Sequence, residues 1–290
     1  MSEGTLRLGT RAFEPGRPVV MAIVNRTPDS FFDAGRTFEQ GAALARVDQV
    51  IAEGADIIDI GGVKAAPGDV VDADEEARRV VDFTAEIRSR YPDIVISVDT
   101  YRASVGELVC QAGADLINDA WGGWEPDLAH VAARHGAGLV CTHAGHLPPR
   151  TRPHRIAYPD VVGDVLGTLT AMAGTAVAAG VRRDGILIDP GHDFGKNSRH
   201  SLEVTRRLDE LVATGWPVLV ALSRKDFVGE SLNLPVDDRL EGTLAATAIS
   251  AFLGARVFRA HDVAATVRTV RMVAAIRGDA DLALGRRGLA

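Results

Sequence analysis

The sequence is poor in cysteine. Its 290 residues include two, Cys110 and Cys141, which have neither a CxxC spacing nor the companions that a zinc site requires. We therefore expect two reduced, half-buried thiols. A chain of this length buries about three-quarters of its unfolded surface, so its core needs neither a disulfide nor a metal to hold it together.

An excess of positive charge is also missing. The formal net charge is −7 and the sequence pI is about 5.6. Phosphate backbones are bound by clustered Lys and Arg, so this balance argues against a nucleic-acid partner and favours a small molecule.

A clean membrane span is missing as well. The longest apolar stretch runs from Val161 to Val181, but Asp164 and several glycines interrupt it, which favours a packed helix. No membrane partner is expected. The N-terminus carries Glu3 and has no apolar core before Arg11, so it predicts no signal peptide and a cytoplasmic protein.

Short β-rich apolar runs alternate with longer segments of helical period. The predicted strands are Val19–Val24, Asp56–Ile60, Ile94–Val98, Asp115–Ile117, Gly138–Thr142, Gly185–Asp189, Pro217–Leu222 and Arg256–Phe258. The predicted helices are Gly41–Glu53, Ala73–Arg90, Ala103–Ala112, Pro126–His135, Asp160–Ala179, Ser201–Thr214, Asp237–Leu253 and Val263–Arg277. Eight strand–helix pairs predict an α/β fold of one (β/α)8 TIM barrel over residues 19–278, between an N-terminal extension (1–18) and a C-terminal tail (279–290).

The alternative fold is a doubly wound open sheet. That fold uses fewer strands and a glycine-rich phosphate turn after the first of them, and no GxGxxG is present. Gly54, Gly113 and Gly180 recur where a helix ends and a strand begins, so we interpret them as C-caps and not as ligand contacts.

In a barrel the active site forms at the C-terminal ends of the strands, so polar residues there carry functional weight. Seven such residues follow the predicted strands: Asn25, Asp99, Asn118, Asp189, Lys225, Arg259 and His261. They sit in six motifs: Asn25-x-Thr-Pro-Asp-Ser-Phe31, Asp99-Thr100-Tyr101, Ile117-Asn118-Asp119, Asp189-Pro190-Gly191 with Phe194-Gly195-Lys196, Leu222-Ser223-Arg224-Lys225, and Arg259-x-His261-Asp262-Val263.

These motifs resemble the dihydropteroate synthase family over nearly the whole chain, from about Val19 to Val273. Members condense 6-hydroxymethyl-7,8-dihydropterin pyrophosphate with para-aminobenzoate and release pyrophosphate, on a (β/α)8 barrel that usually forms a homodimer. The resemblance therefore implies a pterin-like small-molecule ligand and a homodimer through the last helices.

Residue roles follow from the same resemblance. It implies that Asp99, Asn118 and Asp189 line a pterin pocket, and an inward carboxylate such as Asp189 can accept two pterin N–H groups at once. It also implies that Lys225 reaches the ring as a positive donor. Arg259 and His261 would hold pyrophosphate near the last two strands, and with Lys225 they form the implied catalytic set.

The resemblance further implies a metal. Asn25 would meet a pyrophosphate carried by Mg²⁺, a hard cation that prefers oxygen ligands.

The loop after the second predicted strand departs from the family. Members read Gly-Gly-Glu-Ser-Thr-Arg-Pro-Gly, whereas this chain has Val63, Lys64, Ala65 and Ala66 at the four central places. The family's Thr and Arg there help to grip pyrophosphate and close over the aminobenzoate. Loss of one preorganised donor costs about 2.7–4 kcal/mol, or a hundred- to thousandfold in rate, and several are missing here.

Three further departures lie elsewhere in the chain. Arg26 replaces a small apolar residue, and His192-Asp193 replaces an apolar residue and a glycine, which adds negative charge near the expected anion site. Ala260 stands where valine is usual, which is a smaller change. Arg26 and Lys64 could restore positive charge, but a lysine does not reproduce a planar bidentate arginine.

Other polar residues have simpler interpretations. Asp29 and Ser30 fit a turn behind a proline as well as a site. Asp119 and Asp262 fit helix N-caps. His143 and His146 have a two-histidine spacing without a third ligand, which disfavours a metal site.

Four functional hypotheses remain. The first is a synthase homologue with a retained pterin pocket and little or no condensing activity, as an inactive or impaired paralogue. The second is an active synthase in folate biosynthesis that uses Arg26 and Lys64. The third is a non-catalytic pterin-binding or regulatory protein. The fourth, a folate-dependent methyltransferase, is disfavoured because the chain has no corrinoid-binding domain.

Overall fold

The computed structural model describes residues 4–27, 39–64, 68, 70–145, 148–150, 157–284 and 287. The chain begins with an antiparallel hairpin of β1 (Leu6–Leu8) and β2 (Arg11–Phe13). This hairpin was not predicted from the sequence, because three-residue strands are too short to show a clear alternation.

Within the described residues, eight parallel strands follow in a single sheet. They are β3 (Val19–Asn25), β4 (Ile57–Gly61), β5 (Val95–Asp99), β6 (Leu116–Asp119), β7 (Gly138–Thr142), β8 (Ile186–Asp189), β9 (Leu219–Val220) and β10 (Val257–Ala260). The sheet order is β8-β7-β6-β5-β4-β3-β10-β9, and a parallel bridge between Ile188 and Val218 joins its two edges. The sheet is therefore closed, and the prediction of a TIM barrel is confirmed.

Helices pack around the strands. They are α1 (Gln40–Ala52), α2 (Ala73–Arg90), α3 (Ala103–Gln111), α4 (Asp127–His135), α5 (Val161–Ala178), α6 (Ser198–Arg206), α7 (Leu208–Val212), α8 (Asp226–Leu232), α9 (Leu240–Phe252) and α10 (Val263–Arg277). The predicted helix Ser201–Thr214 is two helices, since the chain leaves helical geometry at Arg207. Helix α8 was not predicted, and the predicted helix from Asp237 begins instead at Leu240.

Helix α5 is the apolar stretch that the sequence singled out. Among the described residues it is the one helix long and apolar enough to cross a membrane. Its buried side chains, including Val165 and Leu169, belong to the main core, and the helix packs on β7, β8 and α6. The packed-helix interpretation therefore accounts for its composition.

The glycines that were interpreted as helix ends have left-handed backbones. The φ angles of Gly54, Gly113 and Gly180 are +100°, +108° and +104°. Each comes directly after the C-cap residue of a helix, where glycine adopts a positive φ without the steric cost that other residues meet.

The buried apolar side chains form two layers, one outside the sheet and one inside the barrel. Between sheet and helices lies the main core, with side chains such as Ile58, Ile60 and Phe258. Inside the lower half of the barrel a second cluster brings the hairpin residues Leu6, Leu8 and Phe13 against inward side chains of the strands. The hairpin therefore closes the N-terminal end of the barrel and leaves the opposite end for a site.

Candidate functional site

Inward-pointing side chains change from apolar to polar toward the C-terminal end of the barrel. In β4, Ile57 belongs to the lower cluster, and Asp59, two residues on, is fully buried above it. The same step leads from Val95 to Ser97, and from Val257 to Arg259. Side chains two residues apart share one face of a strand, so the polar groups form one layer above the apolar one.

Asp59 lies at the centre of this polar layer. Its carboxylate accepts a hydrogen bond from the Arg259 Nε at 2.6 Å and another from the Ser97 hydroxyl at 2.6 Å. The Asn118 amide nitrogen lies 3.4 and 3.3 Å from its two oxygens. The Arg259 guanidinium also donates to Asp99 at 3.2 Å. The structure therefore brings together Asp99, Asn118 and Arg259, three of the predicted residues.

Asp59 itself was not among the predicted site residues. A signal was present, because it is the lone charged residue in the apolar run Ile57-Ile58-Asp59-Ile60. Charged residues are almost never fully buried unless they are paired, so such a residue inside a strand predicts a buried partner.

The charges of this layer depend on one another. Burial raises the pKa of Asp99 to about 8, although Arg259 opposes the shift and Asp59 adds to it. Burial disfavours the charge on Arg259, but Asp59 and Asp99 hold its pKa above the ordinary value. At neutral pH the Asp99 carboxyl therefore retains a proton and can donate a hydrogen bond.

Asp189 and Lys225 form the other side of the site. Asp189 is 5% exposed and accepts a hydrogen bond from the Gly191 amide at 2.7 Å. Lys225 donates to the His192 carbonyl at 2.5 Å and lies 4.8 Å from the centroid of the Phe194 ring. Burial raises the pKa of Asp189 and lowers that of Lys225, and each opposes the shift of the other.

His261 follows β10 and is 5% exposed. Its ring Nδ1 lies 2.9 Å from the Ser223 hydroxyl, and its amide donates to the same hydroxyl at 3.2 Å. Burial and then the nearby Arg259 lower the pKa of His261 to about 3. The imidazole is therefore neutral, and it can meet an anion as a hydrogen-bond donor but not as a cation.

Asp262 occupies the N-cap position of α10, as predicted, but its side chain makes no capping bond, and the prediction that Asp119 caps a helix is wrong. Asp262 precedes α10, but its carboxylate accepts two bonds from Arg224, at 2.9 and 3.1 Å. Asp119 accepts the amides of Trp121 at 2.9 Å and Gly123 at 2.8 Å. Both carboxylates order loops at the rim.

Arg26, one of the two cations proposed as compensation, packs against the outer core. The Arg26 guanidinium lies 4.8 Å from the centroid of Phe83 on α2, in the outer core, and its Nε donates to the Arg79 carbonyl at 3.4 Å. Lys64 accepts a hydrogen bond at its carbonyl from Arg150 at 2.6 Å. The position of Arg26 disfavours a role in binding an anion at the mouth of the barrel.

The His192-Asp193 pair also serves the scaffold. His192 is fully buried and contacts the Thr205 hydroxyl at 3.0 Å. Asp193 accepts the Phe227 amide of α8 at 3.2 Å and the Ser201 hydroxyl at 2.9 Å. Its charge therefore stabilises the start of α8 and the adjoining helix α6.

Several predicted positions lie outside the described residues. They are Asp29 and Ser30 in the loop after β3, Ala65 and Ala66 in the loop after β4, and His146 in the loop after β7. The described residues form no group of three or more His, Cys, Asp or Glu side chains that could hold a metal ion.

Comparison with known proteins agrees with this geometry. Residues 21–261 match the model of the pterin binding enzyme family. The chain is 57% identical over 285 residues to "Inactive dihydropteroate synthase 2" of Mycobacterium leprae, covering 95% of this chain and 98% of that one. It is 40% identical over 262 residues to the dihydropteroate synthase of Bacillus subtilis, covering 90% and 89%.

A solved structure shows the same architecture. The crystal structure of Yersinia pestis dihydropteroate synthase, determined as a sulfonamide drug complex, superimposes with a TM-score of 0.89 at 35% identity. The match covers 95% of this chain and 100% of that one. The chain therefore belongs to the dihydropteroate synthase family of pterin-binding enzymes.

Proposed function

We propose that this protein binds a pterin in the polar layer of the barrel and has little or no dihydropteroate synthase activity. One observation carries the proposal. The buried groups of the layer are mutually paired, while the sequence after β4 has Ala65 and Ala66 where the family has the Thr and Arg that help to grip pyrophosphate.

The polar layer suits a pterin ring. A pterin presents adjacent N–H donors, and the Asp189 carboxylate at the end of β8 can accept two of them. Asp99, which keeps its proton at neutral pH, and the Asn118 amide offer hydrogen-bond donors to ring nitrogens or the ring carbonyl. Lys225 adds a positive donor next to Asp189.

The pyrophosphate leaving group lacks a comparable set of hydrogen-bond donors. Arg259 is engaged by the Asp59 carboxylate and the Asp99 carboxyl, and His261 is neutral. The loop after β4 has no hydroxyl or guanidinium at positions 63–66. Electrostatic stabilisation of developing charge is often the largest catalytic term, so these losses act on the chemical step more than on pterin binding.

The relatives support the loss of activity. The 57% identical Mycobacterium leprae protein is named inactive, whereas the Bacillus subtilis protein, named a dihydropteroate synthase, is 40% identical. The second hypothesis, an active synthase, requires cations other than Arg26, whose guanidinium lies on Phe83. The third hypothesis, a non-catalytic pterin-binding or regulatory protein, would use the same pocket.

Magnesium would enter with a pyrophosphate. Asn25, at the end of β3, lies beside Gly61, where a Cβ atom would stand 3.4 Å from the Asn25 amide oxygen. Mg²⁺ is commonly held by one or two protein oxygens together with substrate phosphates and water. Asn25 therefore fits Mg²⁺ as one such ligand, and the ion would neutralise charge on the phosphates.

We also propose a cytoplasmic homodimer. Helices α9 and α10 pack together and expose large apolar side chains: Ile249, Phe252, Met272 and Ile276, each more than half exposed. Contiguous exposed apolar patches mark interaction sites. A dimer mass in light scattering is expected, and Phe252→Glu should shift it to the monomer.

The test of the proposed function is pyrophosphate release with Mg²⁺, dihydropterin pyrophosphate and para-aminobenzoate. The wild type should show little turnover. A variant with Val63→Glu, Lys64→Ser, Ala65→Thr and Ala66→Arg should gain roughly a hundred- to thousandfold, because it restores donors aimed at the leaving group. The control adds Asp189→Ala to these four changes and should abolish the gain.

Two outcomes would contradict the proposal. Brisk turnover by the wild type would show that the loop is dispensable and that the chain is a working synthase. Absence of pterin binding by the wild type, in calorimetry with pterin itself, would show that the pocket serves another ligand.

A further inference from the structure

Lys196 is buried beneath the loop that follows β8. It is 7% exposed and directly precedes the N-cap of α6. Three backbone carbonyls, those of His143, Gly191 and Phe194, lie around its ammonium, each at 3.2 Å, and its three N–H groups are shared among these carbonyls and the His143 ring. The ammonium lies 2.7 Å from the His143 Nδ1. One side chain thus ties the end of β7 to both ends of the loop after β8.

The loop held in this way contacts Lys225. The His192 carbonyl accepts the Lys225 ammonium at 2.5 Å, and the Phe194 ring lies below it at 4.8 Å. The Phe194 ring in turn meets Trp121 edge to face, with centroids 5.6 Å apart. The position of the loop therefore sets two contacts of a residue assigned to the pterin pocket.

The backbone of the loop is unusual and needs such restraint. Gly191, Asp193 and Gly195 have φ angles of +64°, +65° and +57°. A non-glycine residue such as Asp193 occupies this region at a steric cost, which the surrounding contacts must offset. A Cβ at Gly191 would lie 2.1 Å from the His143 carbonyl, so the loop lies directly on the end of β7.

We propose that Lys196 is a positioning residue of the pterin pocket: it holds the loop after β8 so that the His192 carbonyl and the Phe194 ring face Lys225. The inference rests on the proposed function for its ligand, but its structural part concerns contacts within this chain. Lys196 itself does not touch the ligand.

A hydrogen-bonded chain leads from Lys196 to the surface. The His143 Nε2 lies 2.7 Å from the carboxylate of Asp164 on α5, which is partly exposed. An ammonium has no acceptor, so the His143 Nδ1 accepts from Lys196 and its Nε2 donates to Asp164. Both ring nitrogens of His143 are thus engaged.

The charge of Lys196 is sensitive to pH. Burial lowers the pKa of Lys196 to about 7. The charged groups that act on it come from several elements: Asp189 at the end of β8, Lys225 before α8, Asp164 on α5 and Asp193 in its own loop. As the pH rises through 7 the ammonium becomes an amine with fewer donors, and its hold on the loop carbonyls weakens.

The experiment uses fluorine NMR of the whole protein labelled with 5-fluorotryptophan. The chain has three tryptophans, Trp121, Trp124 and Trp216. Trp121 touches Phe194 and reports the position of the loop, and Trp216, which lies under Arg183, serves as an internal reference. Single Trp→Phe variants assign the signals, and calorimetry with pterin at pH 6.5 measures affinity.

Lys196→Met removes the ammonium at similar volume. We expect a shifted Trp121 signal, an unchanged Trp216 signal and at least a tenfold loss of pterin affinity. The matched control, Asp164→Asn, removes the surface end of the chain but leaves the three carbonyl contacts, and it should keep affinity within about twofold. A folded Lys196→Met protein with the wild-type Trp121 signal and affinity would overturn the proposal.

A pH titration provides a second test, which holds even if Lys196→Met does not fold. The Trp121 signal should titrate with a midpoint near pH 7 in the wild type and also in Asp119→Asn, which removes the carboxyl that binds the Trp121 amide and whose own pKa is raised to about 6, while Trp216 stays constant. A flat Trp121 profile of Asp119→Asn from pH 6 to 10, a range that extends well beyond the lowered pKa of Lys196, would overturn the positioning role. A titrating Trp121 signal in a protein that does not bind pterin would support the role of Lys196 and remove only the proposed ligand.

Discussion

The two halves of the barrel interior differ sharply, although the same strands build both. In the lower half, Ile57 and Val257 meet the hairpin residue Leu8 in a fully buried apolar cluster. Two residues further along the same strands, Asp59 and Arg259 form a buried ion pair. Residues two positions apart on the same strands thus form an apolar cluster at one level of the barrel and a charged layer at the next.

The difference shows how the barrel divides its tasks. The N-terminal end of a barrel serves stability, while the C-terminal end presents side chains to a ligand. An apolar layer tolerates change in proportion to the volume removed. A paired buried charge layer depends on every member, because a charge left without its partner is costly.

The largest expected effect comes from Arg259 in the upper layer. Arg259→Met leaves the fully buried Asp59 carboxylate without its cation, so the free energy of unfolding should fall by about 3–5 kcal/mol. Pterin binding should be lost as well. Urea unfolding measures the change in stability, and calorimetry measures the loss of binding. An unchanged free energy of unfolding would mean that the Arg259–Asp59 pair does not stabilise the fold.

A change in the lower layer should separate stability from binding. Leu8→Ala shortens a fully buried side chain of the lower apolar cluster and leaves a cavity, so the free energy of unfolding should fall by about 2–5 kcal/mol. Pterin affinity of the folded variant should stay at the wild-type value. The neighbouring Arg7, whose side chain is 54% exposed, offers Arg7→Ala as a control with little effect. Loss of pterin affinity in Leu8→Ala would show that the layers are coupled.

A third prediction concerns the pH dependence of the upper layer. The folded-state pKa of Asp99 is raised from 3.8 to about 8, so the folded protein holds a proton there that the unfolded chain has released. That contribution to stability is fully present below pH 3.8 and is lost as the pH rises through 8.

Asp99→Asn keeps a neutral side chain and removes this dependence. The stability of the wild type relative to the variant should therefore decrease from pH 5 to pH 9 in urea unfolding. The exposed Asp93 provides Asp93→Asn as a control without such a trend. A constant difference between wild type and Asp99→Asn would show that Asp99 does not hold a proton in the folded state.

Much of the fold was predictable from local patterns. Helices α2 and α10 were predicted with the observed bounds, because amphipathic periodicity and polar or glycine ends mark them clearly. The break at Arg207 was missed because its apolar spacing continues across it. Helix α8 was missed since its start is stabilised by Asp193, which lies more than thirty residues earlier in the chain.

The site was predictable to a similar degree. Positions at strand ends identified Asp99, Asn118, Asp189 and Arg259, which the structure brings to one end of the barrel. The assigned roles of these residues, together with those of Lys225, His261 and Asn25, stay predictions until a ligand is bound. Asp59 was missed because it lies within a strand and not at its end.

The sequence by itself determined the strand–helix alternation, the positions of the polar residues and the absence of a hydroxyl or guanidinium at positions 63–66, because these depend on residue type and spacing. Only the tertiary structure decided the partners. Arg26 packs against Phe83, and Asp193 accepts a hydrogen bond from α8. Arg259 pairs with Asp59, and Lys196 contacts three backbone carbonyls. Partner choice depends on how strands close into a barrel, since closure brings distant side chains into a buried layer where each charge must be paired.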